Sequence, residues 1–203
     1  QEMVRSLLET SKNVVSLDEM LLMEIHGKKI EDLLIEKVSS IGEKIGIRRY
    51  YRLDSEYIYS YVHNSVADNL GKIGVLVALS KENESLGKQL AMHIAASNPL
   101  ALSEKDLSDD LLDREKKVYV EQAKDSGKPL DIIENMVKGK LKKFISEITL
   151  LNQNFVVDPE KKVSDVLQSN SNLILDYVRY EVGEGIEKPV DDFAEEVKKT
   201  AMS

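Results

Sequence analysis

The stretch from Ser108 to Glu147 leaves few folds open. It carries nine acidic and nine basic side chains, more charge than a segment of this length can bury. Yet Leu130, Ile133, Val137, Leu141, Phe144 and Ile148 recur at steps of three and four, which is one stripe of a helix. Leu107, Leu111, Val118 and Ala123 form a thinner stripe before them, with Leu112 and Tyr119 beside it. Between the two stands Ser126-Gly127-Lys128-Pro129. Glycine closes a helix in the left-handed conformation, and proline fits the first turn of the next. The spacing predicts an antiparallel helical hairpin over 108–147, joined through thin stripes and clothed in mixed charge. Strand-like apolar sequence on both sides predicts that it is inserted into one sheet-containing domain. The plainer reading is a solvated helical arm with no chemistry of its own.

The remaining chain alternates helical and strand-like segments. Residues 1–11 read as a short amphipathic helix, with Met3, Val4, Leu7 and Leu8 on one face, as in a helix interior whose natural amino-terminal continuation is missing. Leu17 to Ile25 predict a helical turn or two, broken by Gly27. Ile30, Leu33, Leu34, Val38 and Ile41 predict a helix that Gly42 closes. The run IGIRRYYRL, 45–53, reads as a strand. Tyr57, Tyr59, Tyr61 and His63 alternate with Ile58, Ser60 and Val62, a half-buried strand. The apolar run 73–79 predicts a central strand that pairs with it through a loose turn. A helix over 84–97 buries Leu86, Leu90 and Ile94, and Asn98-Pro99 ends it. After the hairpin, 154–157 predict a short strand, and Val163, Val166 and Leu167 a helix capped by Pro159 or Ser164. The segment 173–186 predicts a strand interrupted at Gly183 and Gly185, and 189–203 an amphipathic helix bearing Phe193. Helices packed on antiparallel sheets make this an α+β chain.

Charge and composition narrow the function. The net charge is −8 and there are no cysteines. An acidic chain without a basic stripe is a poor partner for phosphate backbones, so no direct nucleic-acid binding is expected. Disulfides, thiolate metal sites and cysteine nucleophiles are excluded. No apolar run reaches the length of a membrane span. His26, His63 and His93 stand in unrelated segments without metal-type spacing, and no zinc-protease, phosphate-loop or nucleophile-elbow motif occurs. Gly183-Glu184-Gly185 lacks the third glycine of a dinucleotide fingerprint and reads as a bend. No catalytic residue, cofactor or metal is expected, although plentiful acids leave a carboxylate enzyme open. His63 reads as a surface contact or a loop-mouth hydrogen bonder, and His93 as a half-buried, satisfied histidine. Ile41-Gly42 is either a plain helix stop or an exposed apolar tip that a partner covers.

Five segments, IGEKIGIRRY, SYVHN…KIGVLVA, LAMHIAASNPLALS, GKPLDIIENMVKGKLKKFISEITLLNQNFVVDP and YVRYEVGEGIEKPVDDFAEEV, resemble the bacterial elongation factor Ts family, in order along essentially the whole chain. The resemblance implies a cytoplasmic guanine nucleotide exchange factor for EF-Tu, the GTPase that carries aminoacyl-tRNA to the ribosome. It also implies a layout: a remnant of a first core subdomain at 1–54, a second at 55–105 and 148–188, an inserted coiled-coil hairpin at 106–147, and a carboxy-terminal helix at 189–203. The family's Thr-Asp-Phe-Val motif, which dislodges the magnesium of EF-Tu, belongs just upstream of residue 1 and is not in this sequence. The partner-binding positions that match are Ile41, Gly42, His63 and, on the terminal helix, Phe193. The glycine that follows the histidine in the family is Asn64 here. A self-association module acting through the hairpin, and with it a homodimer, is the competing reading.

Overall fold

The computed structural model describes residues 2–14, 16–67, 70–124 and 129–185. Three helices and a small ribbon open the chain. α1 spans Glu2–Thr10 and α2 spans Leu17–Leu22, the latter capped by Ser16, whose hydroxyl accepts from the Glu19 amide at 3.2 Å. The expectation that helix continues to Ile25 is wrong. Glu24–Ile25 (β1) pairs antiparallel with Lys28–Lys29 (β2) around His26-Gly27, which sit at φ 53° and 77°. Two consecutive positive φ values make the two-residue turn whose twist suits a hairpin. α3 follows at Ile30–Ile41. Leu7, Val14, Met20, Ile25 and Ile30 bury together as one small cluster, while Val4 and Leu8 stay exposed.

The strand expected at 45–53 does not form. Residues 44–55 join no ladder among the described residues. Their side chains do the binding instead. The Tyr50 hydroxyl donates to the Ser11 carbonyl at 3.0 Å and lies near that of Val14, and Ile47 packs beside it on the small cluster. Tyr51 donates to Asp176, Arg49 pairs with Glu184 at 3.1 Å and stacks over Tyr180, and Arg48 donates to the Glu184 carbonyl. Aromatic and β-branched residues fit a pleated surface, but a strand also requires a neighbouring backbone.

β3 (Tyr57–His63) and β4 (Ile73–Leu79) pair in full antiparallel register, from Tyr57 opposite Leu79 to His63 opposite Ile73. α4 (Glu84–Ser97) begins at Asn83, whose side chain accepts from the Leu86 amide at 3.0 Å, and ends at Asn98 with φ 44°. Leu86, Leu90, Ala91 and Ile94 are buried against Val75, Val77 and Leu79. α4 lies so close to the sheet that a Cβ on Gly87 would come within 2.1 Å of the Tyr59 ring.

α5 (Asp109–Lys124) and α6 (Leu130–Ile148) pack on one another. Their seam buries Ala123, Ile133 and Val137, with Tyr119 and Val120 beside them, and Lys140 sits 5.5 Å above the Tyr119 ring. Leu130, the first member of the expected stripe, is 80% exposed. The turn expected at 126–128 lies outside the described residues. At the root of the pair, Ala101 and Thr149 form a parallel bridge, and the Leu150 amide donates to the Ala101 carbonyl at 2.9 Å.

β5 (Asn154–Phe155) pairs with β6 (Asp158–Lys162), and α7 (Val163–Ser169) follows. Pro159 and Ser164 do not cap this helix. Pro159 lies in the two-stranded ribbon, and the Asp165 carboxylate accepts from the Lys162 amide at 3.1 Å. β7 (Ile174–Glu181) returns antiparallel to β4, giving the order β3-β4-β7. Gly183 and Gly185, at φ 83° and 67°, then turn the chain as a bend. The result is an α+β arrangement of helices and small antiparallel sheets. The terminal helix expected at 189–203 lies outside the described residues.

Candidate functional site

Ile41 and Gly42 occupy the carboxyl end of α3. Gly42 takes φ 79° and donates its amide to the Val38 carbonyl at 2.9 Å, so the helix stops there by backbone geometry. The last apolar side chain is left in solvent: Ile41 is 56% exposed. A Cβ on Gly42 would meet nothing within 4 Å, so only its left-handed backbone calls for glycine.

His63 closes β3 and is exposed. Its backbone is fixed by the ladder to Ile73 and by the Lys72 amide, which donates to the His63 carbonyl at 3.0 Å. Gly71 passes so near that a Cβ there would lie 2.5 Å from that same carbonyl. Asn64 adopts φ 50°. Asparagine tolerates the left-handed region better than other side chains, so the turn keeps a glycine-like path without a glycine. The register sets His63, Ile73 and Glu181 in one row across the sheet, and Tyr61, Val75 and Arg179 in the next. Alternation of side chains along each strand puts both rows on one face. Arg179 pairs with Glu181 at 2.7 Å, and the Tyr61 hydroxyl lies 3.1 Å from Nδ1 of His63.

The two positions stand on different parts of the body, Ile41 beside the small helical cluster and His63 at the end of the three-stranded sheet. Phe193 lies outside the described residues. His93 is fully buried rather than half-buried. The Val156 amide donates to its Nδ1 at 3.2 Å, so the proton sits on Nε2, which donates to Oε1 of Gln153 at 3.0 Å. Burial pushes its pKa down, and the Gln153 contact opposes the shift. Gln153 in turn donates to the Glu147 carbonyl at 2.7 Å, tying α4 to the root of α6. This network went unseen in the sequence, where nothing marks Gln153 as buried.

Among the described residues no three His, Asp or Glu side chains gather as a metal site, and no helix is long and apolar enough to cross a membrane. The cleft beside the root of α6 is lined by Ser97, Lys143, Glu147, Asn152 and Gln153, with a single acid.

Residues 1–184 match the family model described as Elongation factor TS. A protein of Dinoroseobacter shibae named Elongation factor Ts is 48% identical over 200 residues, covering 98% of this chain and 69% of its own length. Proteins of the same name from Ruegeria sp. (strain TM1040) and Roseobacter denitrificans are each 45% identical, covering 100% and 98% of the chain and 69% and 68% of their own lengths. The chain belongs to the elongation factor Ts family and is a translation elongation factor.

Proposed function

We propose that the chain is a guanine nucleotide exchange factor that binds EF-Tu·GDP in the cytoplasm and promotes GDP release without bond chemistry of its own. Family membership carries this reading, and the solvent-exposed Ile41 at a backbone-terminated helix end supports it. Exchange requires no active site in the exchanger. A protein that binds nucleotide-free EF-Tu more tightly than the GDP form must weaken GDP by the same factor. Rate enhancement further requires contacts that form before GDP leaves. Ile41, Gly42, His63 and Phe193 are the contacts assigned to that task.

The layout belongs to the same proposal. Residues 1–54 belong to a first core subdomain, 55–105 with 148–188 to a second, 106–147 are an inserted coiled-coil hairpin, and 189–203 a terminal helix. The separation of buried side chains into three clusters supports the first three parts. The bridge between Ala101 and Thr149 supports the insertion, because both ends of the hairpin meet there.

Release of fluorescent GDP from EF-Tu, followed by stopped flow, tests the reading. The chain accelerates release, and Ile41→Glu cuts the acceleration about tenfold, the equivalent of about 1.4 kcal/mol. No acceleration at any concentration of the chain sinks it. Leu130, Ile132 and Val118, all exposed on the hairpin, favour one competing reading, self-association into a homodimer. Light scattering separates the two, since a strict monomer rejects it.

A further inference from the structure

We infer that Tyr61 is a positioning residue: it holds His63 in the Nε2–H tautomer, aimed outward, so that the group His63 recognises on its partner is a hydrogen-bond acceptor. The inference deepens the exchange-factor reading and rests on it for the partner's identity. The tautomer itself depends only on this chain.

The geometry is local and complete. Tyr61 and His63 are two residues apart on β3, so their side chains leave the same face. The tyrosine ring packs against the main core, and its hydroxyl reaches Nδ1 of His63 at 3.1 Å, with ring centroids 6.0 Å apart. A neutral phenol has one hydrogen, and its oxygen lone pair is drawn into the ring, so it donates better than it accepts. The unprotonated imidazole nitrogen is the strong acceptor of the pair. Donation from Tyr61 therefore places the lone pair on Nδ1 and the proton on Nε2. Nε2 makes no hydrogen bond among the described residues, and the ring is exposed. The ladder to Ile73 and the close approach of Gly71 fix the backbone beneath it. What faces solvent is one N–H of set direction, on a side chain that needs no further ordering to bind. Its complement is a backbone carbonyl or a carboxylate.

His93 provides an internal reference. Its Nδ1 also accepts, from the Val156 amide, and its Nε2 also donates, but to Gln153 in the interior. The two histidines share a tautomer and differ in where the proton points.

Long-range proton–nitrogen NMR of the histidine rings decides the first half, with His63→Gln identifying the His63 signals by their loss. The wild-type chain shows His63 protonated on Nε2, and Tyr61→Phe, which keeps the ring and loses the donor, yields a mixture of tautomers. Protonation on Nδ1, or a ratio indifferent to Tyr61→Phe, overturns the proposal whatever EF-Tu does. GDP release from EF-Tu decides the second half. His63→Ala lowers the acceleration about tenfold, as for a hydrogen bond of about 1.4 kcal/mol, and Tyr61→Phe about threefold. His63→Gln, whose amide nitrogen reaches the Nε2 position, recovers most of the loss. His63→Asn, whose amide reaches only the Nδ1 position, does not. Rescue by asparagine overturns the outward Nε2–H. An inert His63→Ala with the expected tautomer removes His63 from the interface and leaves the Tyr61 assignment standing.

Discussion

The sheet-and-α4 body and the α5/α6 pair are built from the same apolar residue types to opposite ends. In the body, α4 buries seven of its residues, and the strands meet them with Val75, Val77 and Leu79. In the pair, two helices together bury Ala123, Ile133 and Val137 alone. The body is wide enough to exclude water from whole side chains. The pair buries only that short line, with Tyr119 and Val120 partly covered beside it, and leaves Leu130 and Ile132 in solvent. A seam that thin holds two helices in register but adds little to global stability. The body carries His63 of the proposed contact surface, and Ala101 before α5 bridges Thr149 after α6.

Paired truncations test this contrast most severely. Leu90 is fully buried under the sheet, and Leu90→Ala costs about 2–5 kcal/mol through lost transfer energy and the cavity left behind. Val137→Ala removes two methyls from the seam, roughly 1.5 kcal/mol at about 0.8 per buried methylene. Denaturant unfolding registers the first as a loss of global stability. Hydrogen exchange registers the second as faster opening of α5 and α6, with the body unchanged. Global destabilisation by both would mean that the pair and the body unfold as one.

Gly87→Ala sharpens the body's side of the comparison. The new Cβ would lie 2.1 Å from a ring that cannot swing away, because the Tyr59 hydroxyl accepts from the Asn83 amide at 2.8 Å. A single methyl there costs about 1–3 kcal/mol. The same change at Gly139 on α6, where a Cβ meets nothing within 4 Å, gains roughly 0.5–1 kcal/mol from helix propensity. Thermal melting of the two variants gives opposite signs if packing density differs as described.

Legibility in the sequence follows the same division. β4 and α4 could be read because a continuous apolar run, a helical stripe and the Asn98-Pro99 stop state burial and an end locally. The bounds of α3 followed from its stripe and Gly42. The ribbon at Glu24–Lys29 could not, since its strands are two residues long and no alternation can register in them. Residues 45–53 had strand chemistry, but whether a backbone partner is at hand is a tertiary fact, as is the choice of Tyr51 and Arg49 to reach Asp176 and Tyr180 on β7. The candidate site divides likewise. The helix end at Ile41 was visible from Gly42 and the place of His63 from the tyrosine alternation, whereas the exposure of Ile41 was one of two open readings. The Tyr61 contact also had a signal, two polar-tipped rings on one face of a strand, whereas Gln153 had none.

His93 joins the two regions, and its titration reports on the joint. Its folded-state pKa is depressed by burial, so between that value and the unfolded value, about 6.5, the unfolded chain binds more protons than the folded one. Stability is therefore full above the unfolded pKa and falls as pH drops below it. The slope cannot exceed about 1.4 kcal/mol per pH unit for one proton. His93→Gln removes this component from the pH dependence of the melting temperature. A variant that keeps the wild-type slope would place the acid sensitivity elsewhere.

The smallest effect belongs to charge on the pair. Lys140 lies over the Tyr119 ring and donates to Oε1 of Gln122 at 3.1 Å, both on an exposed surface. Cation–π and polar contacts in solvent contribute about 0.5 kcal/mol each at most, against the side-chain entropy of holding a lysine still. Lys140→Ala also removes the flexible stem that shields the ring, so a small loss comes from cover as much as from charge. Lys140→Met separates the two, because it keeps most of the stem and deletes the charge. Hydrogen exchange in α5 is expected to rise less than twofold in Lys140→Met and somewhat more in Lys140→Ala, as for changes of about 0.5 kcal/mol or less. If both variants instead opened the pair by more than about 1 kcal/mol, the two helices would be held by charge rather than by the Ala123–Ile133–Val137 line, and the contrast with the body would lie in the kind of force rather than in its amount.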